Sequence, residues 1–226
     1  MRKNLSILLK LNIIIWTFIG ECICLISASF DGYGHWSRRL LYFTNLSNIW
    51  LFIATLLILL PIKDKFRHTL YITRYIFTVA ITLTGIIFCC VLAPFADESY
   101  HAWSASGIIT HVVVPIIAIA DFFVDEEKVF INKKDIFSCL IPGLIYTFLC
   151  TVLFFLKFDF GRGDNFPYFF YNYLSPAGMF GFSSFPYIMG SFYWLLLIIL
   201  TILLVSLVYA KINNFMVKKK LINYLT

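Results

Sequence analysis

Six apolar runs, each long enough to cross a bilayer, constrain this chain more than any other feature. They cover about 5–29, 40–62, 70–94, 104–124, 136–157 and 187–210, against the roughly 20 residues that a crossing helix needs. With 61% hydrophobic and 13% charged residues and a mean hydropathy of +0.86, the chain cannot keep its apolar surface out of water, so lipid is its expected solvent. A backbone in hydrocarbon must satisfy its own hydrogen bonds, which makes these runs helices. The connections are short. The expectation is therefore an all-α polytopic membrane protein, residues 1–226 forming a single bundle of six transmembrane helices with no separate soluble domain.

Lysine and arginine set the orientation. Fourteen fall at one set of helix ends; only Arg38, Arg39, Lys157 and Arg162 fall at the other. Under the positive-inside rule both termini are cytoplasmic, and loops 30–39, 95–103 and 158–186 face outward. The first run follows Arg2 and Lys3 but is longer than a signal-peptide core and carries Glu21, so it is read as a retained span. The net charge of +6 belongs to helix ends rather than to a groove-reading element, so nucleic acid is not an expected partner. The six cysteines all lie in apolar stretches. They match neither a zinc nor a redox spacing and read as small buried hydrophobes. No metal or cofactor is expected.

Polar groups inside such helices are expensive and mark functional or interhelical contacts. Two patches stand out: Tyr42-Phe43-Thr44-Asn45-Leu46-Ser47-Asn48, and Thr110-His111-Val112-Val113-Val114-Pro115 with Asp121 beyond it. Counted at about 1.5 Å per residue from the outer ends, Thr44 lies about 6 Å in, His111 about 10 Å and Glu21 about 12 Å. Thr44, Ser47 and Asn48 share one helix face. The chemistry these types allow is a Thr–His pair. A neutral imidazole takes the hydroxyl proton as the oxygen attacks an acyl carbon. Asn45 or Asn48 would donate to the oxyanion, Glu21 would orient His111 or raise its pKa, and Ser47 is the rival nucleophile. The alternative is that these groups only bond neighbouring helices. Asp121 has two readings, an ion pair with Arg74 or a proton-path residue. The long outer loop, Gly161 to Tyr173 with Ser175-Pro176 beyond, is rich in aromatics. It reads as an interfacial belt before it reads as a lid.

Tyr42-Phe43-Thr44-x-x-Ser47-Asn48, His111-x-x-x-Pro115 with Asp121, and Phe166-Pro167-Tyr168-Phe169-Phe170 give the chain a resemblance. It resembles the androgen-induced-gene type of integral membrane hydrolases, and best their bacterial six-helix relatives. The animal enzymes of that family are atypical threonine hydrolases of fatty-acid esters of hydroxy fatty acids. The resemblance implies Thr44 as nucleophile and His111 as base, with a lipidic substrate in a bacterial cytoplasmic membrane. Two other functions stand beside the lipid-ester hydrolase. One is a non-enzymatic protein that binds membrane lipid or a small molecule. The other is a small proton-coupled transporter using Glu21, His111 and Asp121.

Overall fold

The computed structural model describes residues 2–61, 63–95 and 101–225, with the backbone alone for 221–225. Part of the expected outer loop 95–103, residues 96–100, lies outside the described residues. Six long helices form among those described: α1 (Arg2–Ser27), α2 (Phe43–Leu59), α3 (Asp64–Leu92), α4 (Ala105–Val124), α5 (Lys133–Phe155) and α6 (Ser191–Leu225). Five are long and apolar enough to cross a membrane. The 17-residue α2 is the exception, at about 25 Å against a hydrocarbon core of about 30 Å. A 3-10 turn over Trp36–Leu41 precedes it. The sequence expectation of 40–62 was too long at both ends, because Tyr42 and Leu60 are extended. Conversely, α6 has 35 residues and runs well past its expected end at 210, since its polar last turns stay helical.

Helix starts follow the local chemistry. Asn132 caps α5 by accepting from Lys134 N and Asp135 N, while the Asp135 carboxylate accepts from Asn132 N in return. Ser104 caps α4 by accepting from Gly107 N at 3.2 Å. Such caps satisfy amide groups that have no partner inside the helix.

In the bundle, α1 lies against α2 and α4, and α3 against α2, α4 and α6, while α5 packs on α6. Small residues allow the closest approaches, as is usual where helices meet in lipid. A Cβ on Gly20 would sit 2.7 Å from Ile109 Cγ2, and one on Gly85 would sit 3.0 Å from His111 O. The outward-facing remainder is apolar, with Phe148 72% and Ile145 64% exposed, as a lipid-facing surface requires.

The two ends of the bundle differ. At one end the start of α1, the 125–132 connection and the end of α6 meet: Lys10 bonds Asp121 and Asp125, and Lys220 Nζ donates to Glu126 O at 3.2 Å. At the other end the 28–42 segment meets the 158–186 loop, through Arg162 N to Gly32 O at 3.0 Å and Arg38 to Asp159 at 2.9 Å. The first half of that loop turns inward rather than forming an interfacial belt. Phe160, Phe170 and Tyr171 are buried, and Tyr171 and Tyr173 share hydrogen bonds with Thr147 and Thr151 of α5. The second half does carry exposed apolar groups, Leu174, Phe180 and Phe182 among them.

Candidate active site

Thr44 stands at the second position of α2, where the helix begins beneath the 28–42 and 158–186 segments. His111 stands at the centre of a wider π-turn, Ile109–Val113, set into α4. π-turns interrupt helices mostly as single turns and are frequent at functional sites. A second π-turn, Phe88–Leu92, ends α3 opposite it. The Phe88 ring stacks on the imidazole with centroids 4.1 Å apart and planes 24° apart, and so fixes the plane of the ring.

The result is a direct contact: Thr44 Oγ1 lies 3.1 Å from His111 Nε2. The other ring nitrogen decides the tautomer. Nδ1 lies 2.8 Å from the Gly107 carbonyl oxygen, which only accepts, so in the neutral ring Nδ1 carries the proton. Nε2 then presents its lone pair to the threonine hydroxyl, which donates. Thr110 Oγ1 is also 3.1 Å from Nδ1. Its own proton goes to Ser106 O at 2.8 Å, so it too accepts. Gly107 cannot readily be replaced, because a Cβ there would run into the Ala102 carbonyl oxygen.

Tyr168, from the aromatic loop, completes the constellation. Its hydroxyl lies 3.4 Å from both Thr44 Oγ1 and Thr44 N. Thr44 N donates to the Tyr168 hydroxyl, and that hydroxyl is left to donate beside Thr44 Oγ1, near the N-terminus of α2, whose partial positive charge favours an anion. Tyr168 is held by edge-on contact with Tyr42 and stacking on Phe170. The loop stands out in the sequence by its aromatics, but nothing there gives this tyrosine a role.

Around the pair opens a cavity of about 1260 Å³, lined by Thr44, His111, Tyr168, Arg39, Asp31 and Trp103 among others. Its rim is organised by Arg39, which bonds Asp31 at 2.6 Å and lies 4.1 Å above the Tyr33 ring. Thr44 and Tyr168 also border a second, narrower crevice of about 50 Å³ between α2, α3, α5 and α6.

The remaining expected site residues are brought elsewhere. Asn45 spends its amide on Arg39 O at 2.7 Å and Cys24 Sγ at 3.4 Å. Asn48 spends its amide on Thr44 O at 2.9 Å and Thr110 O at 3.1 Å, tying α2 to α4. Neither amide is directed at an oxyanion, contrary to the sequence expectation. Ser47, fully buried, donates to Thr44 O and pairs with Thr84 Oγ1, each at 2.9 Å. It borders neither cavity and has no base beside it. Glu21 does not orient His111, because Gly107 O holds Nδ1 instead. Among the described residues its buried carboxylate oxygens find no hydrogen-bond partner.

Asp121 does not belong to the pocket at all. Ten residues beyond His111, it lies about 15 Å further along the helix. There it accepts from Ser6 at 2.7 Å, Lys10 at 3.1 Å and Arg74 at 2.5 Å. Asp125 bonds the same Lys10 and Arg74. The ion pair with Arg74 was legible from the sequence; its sharing with Lys10 and Asp125 was not. No family model, no curated protein and no solved structure matches this chain.

Proposed function

We propose that this protein is an intramembrane lipid-ester hydrolase, with Thr44 as nucleophile and His111 as general base. A single observation carries the assignment. The lone-pair nitrogen of His111 faces Thr44 Oγ1 at 3.1 Å, and its other nitrogen is bound to a carbonyl, which is the nucleophile–base–orienter order of covalent hydrolases. As Thr44 Oγ1 attacks the ester carbon, its proton passes to Nε2. The carbonyl electrons collect on an oxyanion beside the Tyr168 hydroxyl, at the positive N-terminal end of α2. Collapse breaks the bond to the alcohol, which leaves with the proton from the imidazolium. Water then attacks the acyl-threonine and gives a proton to Nε2; collapse breaks the bond to Thr44 Oγ1, which takes that proton back, and the acid leaves.

In this reading the chain crosses a bacterial cytoplasmic membrane six times, with both termini in the cytoplasm and the Thr–His pair in the outer half. The asymmetry of Lys and Arg supports that orientation. The motifs shared with androgen-induced-gene type hydrolases support the choice of Thr44 over Ser47. A substrate delivered from lipid fits a nucleophile buried among helices, since its apolar tail never enters water. Against a proton-relay transporter stands Asp121, whose oxygens are held by Ser6, Lys10 and Arg74.

The test is turnover of lipid esters by detergent-purified protein. Thr44→Ala and His111→Ala should each abolish it while the far-UV circular dichroism and elution volume stay those of the wild type. Turnover retained by either folded variant overturns the assignment. No turnover by the wild type would leave a lipid-binding protein as the better description.

A further inference from the structure

Thr44, Tyr168 and Leu92 border both cavities, so the nucleophile stands at a doorway between two spaces of different character. The outer one is wide and carries Arg39, Asp31 and His101. The inner one is about 50 Å³ and is walled by Phe43, Leu83, Ile87, Tyr146 and Ile198. An ester bound at Thr44 must send its acyl part and its alcohol part in different directions; the inner space is walled almost wholly by apolar side chains, whereas the outer one mixes apolar groups with charged and polar ones.

We propose that the acyl chain occupies the inner crevice and leaves the protein between α5 and α6 into the surrounding lipid, while the alcohol part lies in the outer cavity. This presupposes the hydrolase assignment above. The crevice volume corresponds to about three to five atoms, at about 10–15 Å³ for each water-sized sphere. It therefore grips the first few carbons of a straight chain. Beyond them the wall is not sealed: Gly143 and Thr147 on α5 and Ile198 on α6 are only partly buried. Later carbons pass out there and stay in an apolar medium throughout. Selectivity follows directly. Branching next to the carbonyl is rejected because the crevice is narrow, whereas straight chains of many lengths are accepted because their ends lie outside the protein. Gly143 is the position that keeps the exit open. A Cβ there would sit 3.2 Å from Ile202 Cδ1, so a larger residue fits once that side-chain end gives by a few tenths of an ångström, and it then fills the gap between α5 and α6.

Two measurements test the placement. In the first, Gly143→Leu should lower kcat/KM for octanoyl esters relative to acetyl esters by about tenfold or more. Ile145→Phe, on the lipid-facing side of the same helix, should keep the wild-type profile. An unchanged octanoyl-to-acetyl ratio in folded Gly143→Leu overturns the proposal while leaving the hydrolase assignment standing. The second measurement needs no turnover. A straight-chain acyl amide with a diazirine midway along the chain is photolysed on Thr44→Ala protein and the adducts are mapped by mass spectrometry. Adducts on the Gly143–Thr147 and Ile198 segments are expected. Adducts confined to Trp103 or Arg162 in the outer cavity, or no adducts, overturn it.

Discussion

Replacing Asp121 with asparagine removes one of four charges from a buried cluster that ties α1, α3 and α4 together. In the folded protein Lys10 and Arg74 face Asp121 and Asp125, two positive groups against two negative ones. Asp121 is fully buried, and the side chains of Lys10 and Arg74 are 5% and 3% exposed. Water therefore cannot take over from a missing partner. Removing one member of such a pair leaves an uncompensated buried charge and costs about 3–5 kcal/mol. For a chain of this length each kcal/mol lowers the thermal midpoint by about 2–4 °C, so Asp121→Asn should melt about 6–20 °C below the wild type. The assay is circular dichroism melting in one detergent at constant protein concentration. Lys10→Met combined with Asp121→Asn restores charge balance, with Arg74 still facing Asp125, and should recover more than half of the loss. An Asp121→Asn midpoint close to that of the wild type would refute the clasp, and so would a double variant less stable than Asp121→Asn alone.

Three further outcomes follow from particular contacts. Tyr168→Phe removes one donor beside the developing oxyanion and should lower kcat for ester hydrolysis by about 10²-fold with little change in KM; a change in KM alone would make the tyrosine a binding group. Lys128, outside the spans, is pulled down from its ordinary 10.5 to about 8, first by burial and then by the nearby Arg74 guanidinium. Between pH 8 and 10.5 the unfolded chain holds a proton there that the folded chain has released, so stability should rise with pH across that window. Lys128→Met should flatten the rise in thermal midpoint, and an identical slope in both proteins would show that Lys128 does not drive it. Ser47→Ala, which removes a hydroxyl bound between α2 and α3, should lower the melting midpoint slightly and leave ester turnover intact; loss of turnover in a folded variant would contradict the choice of nucleophile.

Much of the architecture was legible because lipid imposes length and apolarity on every span, and both are visible in composition. The ends were less legible. The 3-10 turn before α2 and the polar continuation of α6 depend on packing that hydropathy does not register. At the site, equal depth brought Thr44 and His111 under suspicion together, and depth alone can be counted from a sequence. Whether their faces meet depends on the π-turn in α4, which changes the phase of His111 relative to the residues before it. Tyr168 escaped notice as a site residue because it reaches Thr44 from 124 positions away along the chain, through a loop with no periodicity. Asn45 and Asn48 looked like oxyanion donors because their type allows it. The carbonyls of Arg39, Thr44 and Thr110 had already engaged them. Asp121 follows His111 in the same apolar run, but ten residues of rise carry it to the other end of the bundle.

The most direct test of the Thr–His pair is covalent labelling by a fluorophosphonate probe in detergent, with the modified residue located by mass spectrometry. The adduct is expected on Thr44 in the wild type. It should be lost in Thr44→Ala and His111→Ala and kept in Ser47→Ala. An adduct on Ser47, or equal labelling of folded His111→Ala, would contradict an activated threonine at this site.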